Sequence, residues 1–129
     1  MKYNLLGNTG VLVSELCLGA MTFGTKKILR DIGEQPQDEV TSCVRTALEK
    51  GVNFVDTANV YSEGLSEIML GKSLKELAVN RQQVVIATKL RARMGEGVNQ
   101  VGLSRLHISD SVNDSLQRLQ MDHIDLLYI

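Results

Sequence analysis

Apolar and polar positions along the chain alternate between short runs and helical spacing. Asn4-Leu5-Leu6 and Val11-Leu12-Val13 flank Gly7-Asn8-Thr9-Gly10, where glycine and asparagine supply the positive φ values of a tight turn; Lys2 to Val13 therefore reads as a hairpin. Leu16-Cys17-Leu18-Gly19 is a compact apolar strand. Residues 20–37 hold Gly24, Gly33, Pro36 and several charges without periodicity, the pattern of a long loop. Val40, Val44, Ala47 and Leu48 then share one helical face, and Gly51 offers the left-handed stop. Val52 to Val55 is a second strand ending in Asp56, and Ser66 is placed to cap a helix carrying Leu70, Leu74 and Leu77. Val84 to Ala87 is a third strand, with Lys89 just past its end. After a glycine-punctuated loop from Arg91 to Gly102, Ser104 opens a helix with Ile108, Val112, Leu116 and Leu119 on its apolar face, and Ile124 to Ile129 is a fourth strand.

The order predicts an α/β chain: a hairpin, then about four parallel strands alternating with three helices that cover the sheet. The 129 residues suffice for one modest core, and 43% hydrophobic with 22% charged residues is a globular composition. A formal net charge of −1 gives no reason to expect nucleic acid or an anionic membrane as partner. No apolar run approaches the roughly 20 residues of a membrane helix, and no signal-like segment follows Met1. A cytoplasmic protein is the expectation. Cys17 and Cys43 lie far apart without metal-ligand companions, so each reads as a buried free thiol, and no metal is expected. The chain stops inside its most apolar strand, which suggests truncation and would leave an open apolar sheet edge able to self-associate.

In parallel α/β sheets, ligands bind at the C-terminal ends of the strands. Asp56 and Lys89 fall there, and Tyr61 sits five residues after Asp56 in the same loop. A phenol titrating at about 10 is a weak acid at neutral pH unless its anion is stabilised. The Lys89 ammonium can do that, and the Asp56 carboxylate can hold the ammonium in place. Taken singly, each residue has a plain structural reading. Other motifs fail: no G-x-G-x-x-G follows a strand, Gly95-Glu96-Gly97 lacks the third glycine, and Leu65 rather than lysine stands four after Tyr61. His107 and His123 read as surface or capping residues.

The stretch Gly51-Val52-Asn53-Phe54-Val55-Asp56-Thr57-Ala58, with Tyr61, Ser66-Glu67 and Leu70-Gly71 beyond it, resembles the signature of the aldo-keto reductase family. Ile86-Ala87-Thr88-Lys89 is similar to that family's lysine strand, and Leu119 to Ile129 to the segment leading into its catalytic histidine. Leu16 to Met21 looks like the first barrel strand and the loop touching the nicotinamide. The resemblance implies that 1–129 is a single partial domain, the N-terminal half of a (β/α)8 TIM barrel, with hairpin 1–13 closing the bottom and 14–129 forming βα units. It implies NADPH-dependent reduction of aldehydes or ketones, with Asp56, Tyr61 and Lys89 catalytic and Ala20, Met21 and Asp56 near the cofactor. It would put the catalytic histidine directly after Ile129, leaving this chain inactive alone. Some family members are channel-associated subunits, so a non-catalytic binding module or half-barrel is the alternative.

Overall fold

The structure, a computed structural model, describes residues 1–24 and 35–129. Most of the loop expected over residues 20–37 lies outside the described residues. Strands β1 (Tyr3–Leu5) and β2 (Leu12–Ser14) form the hairpin, antiparallel with Tyr3 opposite Ser14. It is tied to the rest of the fold by the Tyr3 hydroxyl, which donates to Gly51 O at 2.8 Å, and by Ser14 N, which donates to Asn53 Oδ1 at 2.7 Å.

A four-stranded parallel sheet follows in the order β3 (Cys17–Gly19), β4 (Phe54–Asp56), β5 (Val85–Lys89), β6 (Leu126–Tyr128). Helices α1 (Gln37–Glu49), α2 (Leu65–Glu76) and α3 (Arg105–Leu119) form the crossovers. In register, Gly19 lies beside Asp56, Asp56 beside Ala87, and Lys89 beside Tyr128. Because side chains alternate along a strand, Leu18, Val55 and Ile86 point one way and Cys17, Asp56 and Lys89 the other. The first set packs under the helices with Ala20, Phe23, Val40, Val44, Met69, Leu70, Leu74, Val84 and Leu119. The second set lies on the sheet's other face, where none of the described helices packs.

Local chemistry explains the boundaries. Asp38 and Glu39 in the first turn of α1 complement the positive helix end. Gly51, at φ +84°, ends it as expected, with its N–H donating to Leu48 O. The Ser104 side chain caps α3 by accepting from His107 N at 3.2 Å.

Four expectations need correction. Ser66 caps nothing: α2 starts at Leu65 after left-handed Gly64, and the Ser66 hydroxyl is buried, donating to Ala20 O at 2.6 Å. On α3 the fully buried residues are His107, Ser111, Ser115 and Leu119, while Ile108, Val112 and Leu116 are half-buried at the flanks. The cause is close approach to α2, where a Cβ on Gly71 would lie 2.3 Å from Leu119 O. So tight a seam admits small side chains and turns the large ones aside. His107 is thus interior rather than a surface residue, whereas His123 is exposed. Finally, Cys17 and Cys43 are free but exposed, because Cys17 stands on the face without helices and Cys43 on the outward side of α1.

Candidate active site

The strand β4 ends at Asp56 and β5 at Lys89, so parallel pairing brings both residues to one edge of the sheet on the same face. Lys89 Nζ donates to Asp56 Oδ2 at 2.6 Å and to Thr57 O at 2.8 Å. Both side chains are about a quarter to a third exposed, so the pair is partly shielded yet open to a ligand. The same ammonium lies 4.9 Å from the centroid of the Tyr61 ring and 5.6 Å from that of Tyr128. Burial, the largest influence on Lys89, opposes its charge, but hydrogen bonding to Asp56 and Tyr61 outweighs it and lifts its pKa above the ordinary 10.5.

Tyr61 is held by a turn of unusual hand. Its N–H donates to Ala58 O, and the next residues, Ser62 and Glu63, adopt left-handed conformations at φ +49° and +59°. Such conformations each cost about 1 kcal/mol or more and persist only where the surroundings impose them. Here Ser62 Oγ donates to Phe23 O at 3.0 Å, and Asn59 N donates to Lys89 O at 3.1 Å. The turn is therefore fastened to the end of β5, which fixes Tyr61 against Lys89.

Beneath the site runs a buried polar layer. Ser66 donates to Ala20 O, so Thr57, 2.9 Å from the Ser66 hydroxyl, is the donor in that pair. Glu67 is 0% exposed; it accepts from Thr88 Oγ1 at 2.6 Å and from Arg118 Nε at 2.6 Å. Arg118 also donates to Ser115 Oγ. These bonds lock α2, β5 and α3 together one layer below Asp56 and Lys89. A charged residue at an inward helical position was the sequence signal for Glu67.

Of the remaining sequence candidates, Ala20 is wholly buried, with its N–H donating to Asp56 O and its carbonyl accepting from Ser66, whereas Met21 is 52% exposed. A cavity of about 500 Å³ opens beside Tyr61 and Lys89, walled by Ala58, Val60, Leu90 and Val101, with Arg91 also on its wall. Among the described residues no group of three or more His, Cys, Asp or Glu side chains could hold a metal ion.

The family model described as "Aldo/keto reductase family" matches residues 15–129, nearly the whole chain. This chain belongs to the aldo/keto reductase family. It is 40% identical over 128 residues to an L-galactose dehydrogenase of Arabidopsis thaliana, covering 99% of this chain and 37% of that protein. It is 38% identical over 129 residues to a probable voltage-gated potassium channel subunit beta of Oryza sativa subsp. japonica, with the same two coverages. The aldo-keto reductase AKR11C1 from Bacillus halodurans, in its holo form, superposes with a TM-score of 0.79 at 36% identity, covering 98% of this chain and 39% of that one. The aldo/keto reductase chain described here thus spans about two fifths of the length of these relatives, and its α/β fold is part of their barrel.

Proposed function

We propose that this chain is the N-terminal part of a (β/α)8 reductase that uses NADPH to convert an aldehyde or ketone to an alcohol. The observation that carries this reading is the Lys89 ammonium seated between Asp56 and Tyr61 at the mouth of a parallel sheet. Tyr61 is the acid that delivers a proton to the carbonyl oxygen as it gains negative charge. Lys89 stabilises the phenolate left behind, and Asp56 keeps Lys89 charged and pointed at the ring. The residues present fit a nicotinamide cofactor: the partly exposed Asp56 carboxylate can accept from a ribose hydroxyl, and exposed Met21 offers apolar surface. That cofactor, when bound, supplies the hydride. The largely apolar wall beside Tyr61 suits the hydrocarbon part of a carbonyl substrate.

The test is NADPH consumption by the whole protein with an aromatic aldehyde such as benzaldehyde. Tyr61→Phe is expected to lower kcat by about 10²- to 10⁴-fold while NADPH still binds. Equal turnover by the Tyr61→Phe variant would refute the assignment. A second reading, a non-catalytic module of the channel-subunit kind, is favoured by the rice relative's name. Cofactor binding with no turnover of any carbonyl compound would support it instead.

A further inference from the structure

A second, smaller cavity lies behind the turn that carries Tyr61, between that turn, the loop after β5 and the flank of α3. It measures about 100 Å³, and Asn59, Gln100, His107, Ser111 and Arg118 are among the residues on its wall. Asn59 is 1% exposed, yet neither its Oδ1 nor its Nδ2 has a hydrogen-bond partner among the described residues. A buried amide left without partners is destabilising at each unpaired group, which calls for a guest that can meet it.

Two of the protein groups nearby are already engaged. Arg118 is taken by Glu67 and Ser115, and Gln100 Oε1 accepts from Gly97 N. His107 is 4% exposed and faces Ser111 Oγ at a long 3.4 Å, which leaves both with capacity to spare. An anion is disfavoured, because the Arg118 cation is balanced by Glu67 while Asp110 and Asp114 lie on the cavity wall, and among the described residues no group of three or more His, Cys, Asp or Glu could hold a metal ion. A water needs room and two to four polar partners; the cavity has space for water, and Asn59, His107 and Ser111 offer the partners.

We propose that this cavity is a buried hydration site whose ordered waters complete the hydrogen bonding of Asn59 and bridge it to His107 and Ser111. Through them the turn bearing Tyr61 is fastened to α3 as well as to β5. The inference stands apart from the proposed reductase activity, since it rests on a different cavity and on residues outside the acid device.

Two measurements on the full chain test it: a crystal structure at a resolution that shows ordered water, and water–protein NOEs to the Asn59 side-chain amide protons. The expected result is water density within hydrogen-bonding distance of Asn59 Oδ1 and Nδ2, with long-lived water cross-peaks at the same amide. In Asn59→Leu, which fills the site with an apolar group, the density should vanish. If that variant does not fold, the two wild-type measurements still decide. A dry cavity, an Asn59 amide turned onto a protein partner, or density coordinated at the shorter distances of a cation would each overturn the proposal.

Discussion

Lys89 has three N–H bonds to direct, and Asp56 and Thr57 take two of them at 2.6 and 2.8 Å. The third is left for the side where Tyr61 stands. Because the folded pKa of Lys89 lies above its unfolded value, the pair contributes fully below about 10.5, and the contribution disappears as pH rises through the folded value. Stability should therefore be insensitive to this group across neutral pH and fall in strong alkali. Lys89→Met should remove that alkaline limb from a urea-unfolding series. Cys17 reports the same field from the sheet's open face. Burial chiefly raises its thiol pKa, Asp56 raises it further, and Lys89 lowers it. Since thiolate is the reactive form, Asp56→Asn should speed alkylation of Cys17 and Lys89→Met should slow it, each by roughly two- to fivefold. Peptide-resolved mass spectrometry with iodoacetamide separates Cys17 from Cys43. Shifts of the same sign in both variants would mean that the charges act on Cys17 through rearranged structure rather than through their field.

At the level of elements, the seam between α2 and α3 limits what the sequence could reveal. The strands, the three helices, the Gly51 stop and the Ser104 cap were readable because each rests on a local signal: an apolar run, a period, a residue with special backbone freedom. The pairing of Asp56 with Lys89 was readable as well, since parallel strands align their C-terminal ends. Ser66 misled because a serine ahead of an apolar period fits a cap, and nothing local tells that its hydroxyl serves Ala20 and Thr57. The buried face of α3 misled because its serines matter through their small size, a property set by the neighbouring helix. Gly71 gives the sharpest test of that seam. Alanine normally stabilises a helix interior by about 1 kcal/mol over glycine, yet here a Cβ would meet Leu119 backbone atoms at 2.3 and 2.6 Å. Gly71→Ala should instead destabilise by about 1–3 kcal/mol, read as a lower urea midpoint with an unchanged slope. Glu67→Leu should cost more, about 3–5 kcal/mol, because it strands the Arg118 cation beside the neutral Ser115 hydroxyl and takes away the acceptor of the buried Thr88 hydroxyl.

Across the whole molecule, order is distributed according to how many sides of each strand are covered. The β4 and β5 strands are paired on both edges, and Val55 and Ile86 are wholly buried under the helices. The outer strands β3 and β6 have one paired edge each in this sheet, and Tyr128 remains exposed. Local opening follows burial and pairing, so the amides of β4 and β5 should exchange with solvent most slowly, at the rate set by global unfolding. Those of β6 should exchange faster, and those of the hairpin faster still, because β1 is exposed throughout and is held mainly by β2 and the Tyr3 bond to Gly51. Tyr3→Phe removes that bond and should accelerate hairpin exchange while leaving β5 untouched. The gradient also bears on the site. Asp56 and Lys89 sit on the two best-protected strands, whereas Tyr61 sits on a turn whose anchorage depends on Ser62, on Asn59 and on what fills the cavity behind it. Hydrogen–deuterium exchange resolved by residue should therefore find the amide of Tyr61 less protected than that of Ile86. Equal protection would mean that turn and sheet open as one unit, with the acid fixed as rigidly as the lysine beside it.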